Sequence, residues 1–331
     1  MRIGGIEKLD DIIFLLQVLI FPGLLFSIVL AFLYEWLDRK IYARLQNRVG
    51  PLYAGPAGIL QPVADFIKLL AKEDIVPSAA NKVIFNIAPI MALSLISTAV
   101  LLLPVTGVAG LISFDGDVIL AMALMVLYVI VVFLAGFFSM NRFSTVGAER
   151  TVLQLLGYEI PMILSVMSVA LSAGALSLAK IVENRNIWFI FGPHVISFFV
   201  YLIAGQAELE RVPFDIPEAE QEIVAGWLTE YSGKKLALFR LSRDIELLFV
   251  AGLATTLFLG GAGPVISGIP SILQVAICTV FFTLKMAGVL FLLSTIRALF
   301  ARLRIDQMVD LSWKYLIPIS LLQIFLVRLM I

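Results

Sequence analysis

Residues 207–233 read AELERVPFDIPEAEQEIVAGWLTEYSG. Seven carboxylates (Glu208, Glu210, Asp215, Glu218, Glu220, Glu222 and Glu230) stand there against one base, Arg211. Burial and like charge both disfavour a carboxylate anion and push its pKa upward. Groups shifted in that way can exchange protons near neutral pH. A solvated acidic loop is the competing reading, but Val212, Phe214, Ile216, Ile223, Val224 and Trp227 are too apolar for a loop living in water. Partial burial is therefore expected. Local structure accounts for some of the acids. Asp215 is placed to cap a helix, Pro217 suits its first turn, and Glu218 follows the cap at capping-box spacing. On such a helix Glu218 and Glu222 stack four apart, where like charges repel by roughly a few tenths of a kcal/mol.

Further ionisable groups fall within or beside apolar runs. Glu149 and Arg150 precede one run, Glu159 lies inside it, Glu246 begins another, and Lys285 sits in the middle of a third. A charge at the centre of a membrane span costs at least about 2.5–3.5 kcal/mol, so such groups normally face a bundle interior or a water path. Glu159, Glu246 and Lys285 thereby join the loop acids as candidates for a proton path.

The elements that must position these groups are apolar helices. The 331 residues are 61% hydrophobic and only 15% charged, with a mean hydropathy of +1.02. Soluble domains are about a quarter charged. About 20 apolar residues cross a bilayer core, and the runs near 11–33, 83–104, 117–139, 152–179, 187–206, 245–267, 272–296 and 314–331 suggest eight spans. The expectation is an all-α polytopic membrane protein forming one transmembrane domain over 1–331. No internal repeat is visible, which disfavours a stand-alone transporter. The first run is too long for a signal h-region and offers no small-residue cleavage site, so no cleaved leader is expected.

One cysteine, Cys278, excludes an intrachain disulfide or a cysteine-held cluster, and one histidine, His194, argues against a histidine-built metal site. No cofactor is expected to be bound by this chain alone, and any redox groups it serves belong to other chains. The net charge is zero, with 24 basic and 24 acidic residues, which leaves no footprint for nucleic acid.

Eighteen of the 24 Lys and Arg fall in alternate loops, at 34–82, 140–151, 207–244 and 297–314. The positive-inside rule makes those loops cytoplasmic and puts both termini outside. Three of the four are large, so one elaborate face is expected to dock a partner. In the first, Arg39, Lys40, Arg44 and Arg48 recur near helical spacing, and Gly-Pro pairs at 50–51 and 55–56 force turns. An amphipathic interfacial helix then follows. Its apolar face carries Leu60, Val63, Ile67, Leu70 and Ala71, with Asp65, Lys68 and Lys72 elsewhere. That apolar face is a candidate slot for a lipid-soluble molecule, with plain packing as the alternative. In the third large loop, Arg297, Arg302 and Arg304 lie beside Asp306 and Asp310, where membrane anchoring by the arginines competes with a functional role.

Five stretches carry a wider resemblance: RKIYARLQNRVGP, GPAGILQPVADFIKLLAKE, GAERTVLQLLGYEIP, RVPFDIPEAEQEIVAGWLTEYSG and RIDQMVDLSWKYLIP. Together they resemble the eight-helix membrane subunit of respiratory complex I, the subunit 1 (H) family. That family also has members in complex-I-like hydrogenases and sulfur-reducing complexes. The resemblance implies tilted transmembrane helices whose inner loops line a chamber against peripheral redox subunits. Those subunits hold the iron–sulfur clusters, and small and antiporter-like membrane subunits pack alongside in the lipid. By motif position, Glu208, Arg211, Asp215, Glu218, Glu220 and Glu222 carry over to the acidic path, and Glu159 to a buried acid. Arg39, Gln46, Arg48, Arg297, Arg302, Arg304 and Asp306 carry over to the chamber wall or docking face, where Asp65 and Lys68 are also assigned.

Some positions depart from the respiratory pattern. Asp38 stands where the family opens with Glu, Leu52 replaces an Asn, and ELER at 208–211 replaces ETNR. Ala301 precedes Arg302 in place of a Pro, and Arg243 replaces an acid, with Asp244 and Glu246 following. The resemblance therefore implies a coupling subunit of a redox-driven ion pump, not catalytic by itself. Two branches stay open: a quinone-using oxidoreductase with quinone in the chamber, or a ferredoxin-driven hydrogenase or sulfur reductase without it. A passive anchor for a soluble enzyme would leave Glu159, Lys285 and the acid cluster unexplained.

Overall fold

The computed structural model describes residues 3–184, 194–263 and 270–330, and their side chains except at 3–10, 271 and 330. Helices α1 (Ile3–Leu19), α2 (Leu24–Leu45), α3 (Gln61–Leu70), α4 (Lys82–Leu101), α5 (Asp117–Phe137) and α6 (Arg142–Ala173) come first in chain order. They are followed by α7 (Leu178–Glu183), α8 (Val195–Glu208), α9 (Glu220–Ile223), α10 (Gly233–Phe258), α11 (Ser271–Leu299), α12 (Ile305–Leu311) and α13 (Ile317–Met330). No strand occurs among the described residues. Six helical runs are long and apolar enough to cross a membrane, and α8 is a shorter apolar helix. The chain is an all-α polytopic membrane protein.

Local sequence explains where the helices start and stop. Asn81 Oδ1 accepts from the Val83 and Ile84 amides to cap α4, and Asn141 Oδ1 accepts from the Phe143 amide to cap α6. These bonds satisfy donors that a helix start leaves open. Gly174, in the left-handed region, closes α6. Span ends accordingly move from those expected. The first run is two helices broken at Ile20–Gly23, where Pro22 has no amide to donate. Helix α10 starts at Gly233 and ends at Phe258, short of the expected 267. The last run begins at Ile305 and passes through a wide π turn at Ser312–Leu316. Residues 187–193 of the fifth expected span and 264–267 of the sixth lie outside the described residues.

Helix α10 lies at the centre. It packs on α2, α3, α4 and α11, and its residues from Ile245 to Phe258 are buried on every side. An apolar surface all round is what a helix enclosed by other helices requires. The charged start of α10 points to the same end of the bundle as the loop after α8, the α2–α3 connection and the α11–α12 connection. There Lys235 pairs with Asp74 at 3.0 Å, and the Leu303 amide donates to the Pro213 carbonyl at 2.9 Å. Three segments widely separated in sequence thus close over one end of the core.

Candidate functional site

At that end the loop after α8 is held by side chains from beneath it. Gln154 on α6 donates to the Ala207 carbonyl at 2.7 Å and the Phe214 carbonyl at 2.9 Å, and Gln206 donates to the Val212 carbonyl at 2.8 Å. Trp227 is fully buried against α6, and a Cβ at Gly147 would come within 2.5 Å of its amide nitrogen. Gly226, at φ +53, has room for no side chain: a Cβ there would lie 1.8 Å from the Pro217 carbonyl oxygen. The expected helix from Asp215 does not form. Helix α9 has four residues, begins at Glu220 and follows Ala219, which makes no side-chain cap. Asp215 instead faces Arg302, Nε to Oδ1 3.2 Å. Glu218 and Glu222 do not stack as like charges either. Glu218 is held by Arg243, and Glu222 by Arg150 at 2.6 Å, so each acid is answered by its own arginine.

The segments enclose a cavity of about 690 Å³. From α2 come Phe32, Glu35 and Arg39, and from α3 come Pro62, Asp65, Phe66 and Leu69. The loop contributes Glu210, Arg211, Asp215, Glu218 and Glu220, α10 contributes Arg240, Arg243 and Asp244, and Arg297 and Arg302 close the wall. The apolar face expected on α3 is turned largely away from the cavity. Leu60, Ile67 and Leu70 are exposed on the outer side of the helix, and Pro62, Phe66 and Leu69 turn to the cavity. An exposed apolar stripe of that kind is what an interfacial helix presents to lipid.

Ion pairs knit the wall. Arg39 bonds Glu35 and Asp65, both at 2.7 Å. Asp38 is fully buried between Arg211 at 2.9 Å and Arg297 at 2.8 Å, and accepts from Ser294 at 2.6 Å. Arg211 also reaches Glu35 at 3.3 Å. Asp65 is opposed by burial but held below the usual carboxylate value by the Arg39 and Gln61 hydrogen bonds. Burial raises Asp215 above that value despite Arg302. Glu222 is exposed and held low by the Arg150 hydrogen bond.

Behind the wall lies a second, much smaller space of about 10 Å³. Tyr128, Thr151, Glu208, Glu210, Trp227, Arg243 and Glu246 surround it. That is about the room one water needs. Glu208 and Glu246 are buried at 2% and 3% exposure. Both oxygens of Glu208, both of Glu159 and one of Glu246 are buried without a well-formed hydrogen bond among the described residues, although the Tyr158 hydroxyl faces Glu208 and the Tyr128 hydroxyl faces Glu246. Glu210 is better served. It accepts from Thr151 at 3.3 Å, Trp227 at 3.2 Å and Arg243, while burial raises its carboxyl against the pull of Arg243.

The residues singled out from sequence therefore divide. Arg39, Asp65, Arg211, Asp215, Glu218, Glu220, Arg297 and Arg302 line the large cavity, although Glu220 is itself exposed. Glu208 and Glu246 stand behind it, with Glu159 half-buried on α6 and its carboxyl oxygens enclosed. Gln46 is half-buried outside the wall, and Arg48, Lys68, Arg304 and Asp306 are exposed. Lys285 lies elsewhere: it donates at 2.9 Å to the Leu259 and Gly261 carbonyls at the far end of α10. Thirteen residues of α-helical rise separate Glu246 from Leu259, about 20 Å. A cation bonded to the last carbonyls of a helix also complements its dipole. Glu35, Asp38 and Arg240 are not among the expected site residues, nor are Arg243 and Asp244, and Glu210 is expected only as one of the loop acids. The signal for Arg243 and Asp244 was visible as a departure at the head of α10, and Glu35 lies one turn before Arg39. Among the described residues no group of three or more His, Cys, Asp or Glu could hold a metal ion.

The arrangement is that of a polytopic helical membrane protein with a charged cavity at one end and buried acids behind it. A family model described as NADH dehydrogenase matches residues 16–328. The chain is 40% identical over 311 residues to the H subunit of the NADH-quinone oxidoreductase of Dehalococcoides mccartyi strain CBDB1, covering 93% of this chain and 85% of that protein. It is 41% identical over 312 residues to the same subunit of a Geobacillus species, covering 93% and 91%, and 39% identical over 309 residues to that of Brevibacillus brevis, covering 92% and 90%. This chain belongs to the NADH dehydrogenase family, the subunit 1 family of complex I.

Proposed function

We propose that this chain is the membrane coupling subunit of a complex-I-type quinone oxidoreductase. It forms the quinone cavity against the peripheral redox subunits and begins the acidic proton path. Convergence carries the reading: three remote loop segments and the amphipathic helix meet around one cavity, and buried carboxyls stand directly behind it. Its relatives are named as subunits of quinone oxidoreductases, which favours the quinone branch over the ferredoxin-driven one.

The cavity has the two characters a quinone headgroup needs. Phe32, Pro62, Phe66 and Leu69 offer an apolar side, and Arg39, Arg211 and Arg240 offer donors for carbonyl oxygens. Quinone is substrate here, reduced by electrons from clusters in the neighbouring subunits. The work of this chain is electrostatic. A change of charge or occupancy in the cavity alters the balance of the ion pairs around Glu210 and Glu218, and protonation of Glu208, Glu246 and Glu159 follows. Exposed Arg48, Lys68, Arg304 and Asp306 then serve the docking face on the cytoplasmic side. Antiporter-like partners in the bilayer receive the displacement.

The test is the double substitution Glu208→Gln with Glu246→Gln in the assembled complex, reconstituted in liposomes. Redox-linked proton translocation should fall below a tenth of its normal value with the complex still assembled. Normal translocation in that variant would overturn the proton-path reading. Purified complex that turns over with ferredoxin and holds no quinone would assign the other branch.

A further inference from the structure

Among the described residues, only Glu210 and Arg243 line both the 690 Å³ cavity and the 10 Å³ space behind it. They form the partition between the two. One arm of the Arg243 guanidinium is donated to Glu210 and the other to Glu218, and its central carbon lies 5.2 Å from the centre of the Trp227 ring. Glu210 has φ +48, in the left-handed region that a non-glycine residue seldom adopts. Strain of that kind persists where surrounding structure imposes it, and it gathers at functional positions. Here Thr151, Trp227 and Arg243 hold the carboxylate in the neck.

A guanidinium keeps its charge at any physiological pH and has no acceptor, so it cannot pass a proton. A proton moving between the cavity acids and Glu208 or Glu246 must travel by Glu210 or by water in the neck. It meets a fixed positive charge on the way. We infer that Arg243 is a charge gate shared between Glu210 and Glu218, closing the neck while it grips both and opening it when one of them takes up a proton. This rests on the proton path proposed above and adds a residue to it. When Glu210 is protonated, its pair with Arg243 loses the anion, and the guanidinium is left to Glu218. The proton can then pass from Glu210 to Glu208 or Glu246. Return of Glu210 to the carboxylate restores the two-armed grip. Protons are conserved throughout, and no other reactant is needed.

Several charged groups face this pair. Glu218 and Arg211 belong to the loop, Glu208 ends α8, and Tyr128 projects from α5. Arg240, Asp244 and Glu246 share α10, and Glu35 and Arg39 face Asp244 from α2. Any one of them could move an apparent titration, so the test combines a spectroscopic signature with the pH profile. In the assembled complex, Arg243→Gln should add a protonated-carboxyl C=O band to the infrared spectrum, and the further change Glu210→Gln should remove it. The pH profile of protons moved per electron should shift upward by about 1 unit or more, since loss of a neighbouring opposite charge acts on that scale. The ratio itself should fall at least twofold. Arg243→Lys should return the profile to its normal position, which a packing defect would not allow.

An unchanged ratio and profile in Arg243→Gln would overturn the gate. If that variant does not assemble, Glu218→Gln takes its place. It leaves Arg243 to Glu210 alone and should halve the ratio or more, and normal coupling there would equally overturn the gate. The Glu208→Gln, Glu246→Gln variant separates the two ideas. Loss of pumping there with normal Arg243 and Glu218 variants defeats only the gate, and normal pumping there defeats the path itself.

Discussion

At the scale of single residues, the acids behave as two populations. Those held by arginines, such as Asp65 and Glu222, stay below the ordinary carboxylate value, and those governed by burial, Glu210 and Asp215, stand above it. The sign of the pH effect follows from linkage. A raised carboxyl binds more protons in the native than in the unfolded chain between its two pKa values, so stability falls as pH rises through that window. Glu210 and Asp215 should therefore make the assembled complex less stable on going from the ordinary carboxylate range, about pH 4, toward neutrality. Asp65 acts in the opposite sense, contributing above that range and losing its contribution in acid. Thermal unfolding midpoints of the detergent-solubilised complex across pH check this. Asp215→Asn should flatten the decline, and an unchanged slope would show that burial does not govern Asp215.

At the scale of elements, α3 carries apolar residues on two sides. Its outer stripe, with Ile67 at 59% exposure, is suited to lipid, and Phe66 and Leu69 line the cavity beside Phe32. Phe32 and Phe66 are in ring contact, with centroids 5.6 Å apart. Phe66→Ala should raise the apparent KM for a short-chain quinone several-fold, with Ile67→Ala within twofold of normal. Equal effects would remove α3 from the quinone site. Helix α10 shows the complementary point. Its apolar half is enclosed by other helices, so the arginine and acids at its head, Arg243, Asp244 and Glu246, are set by a rigid rod instead of a loop. Charges placed that way keep a fixed mutual spacing along the helix.

At the scale of the whole molecule, the charge bias of the loops predicts that the end of the bundle holding the cavity is cytoplasmic. The opposite end carries Asp115 and Lys180, paired at 2.6 Å on an exposed surface. Single cysteines at Met140 and Asp115 test the orientation, because the native Cys278 is buried. A membrane-impermeant maleimide should label Met140→Cys only in inverted vesicles and Asp115→Cys only in right-side-out ones. The reverse pattern would invert the topology and put the cavity outside.

Much of this was legible in the amino-acid sequence. Apolar runs of membrane length determine an all-helical polytopic chain, and Lys and Arg in alternate loops place the three large segments on one side. The ordered motifs mark the family, and the interleaving of acids with Phe214, Ile216 and Trp227 marks a loop that cannot live in water. These properties depend on composition and on neighbours close along the chain. Tertiary structure alone decided which charges meet. Asp38 is buried between Arg211 and Arg297, far away in sequence, and Glu218 and Glu222 are parted by arginines from different helices. Lys285 is drawn to the carbonyls ending α10 and away from the acids. An ion pair forms between groups a few ångströms apart in space, and spacing along the chain says nothing of that distance once the chain has crossed the bundle and returned.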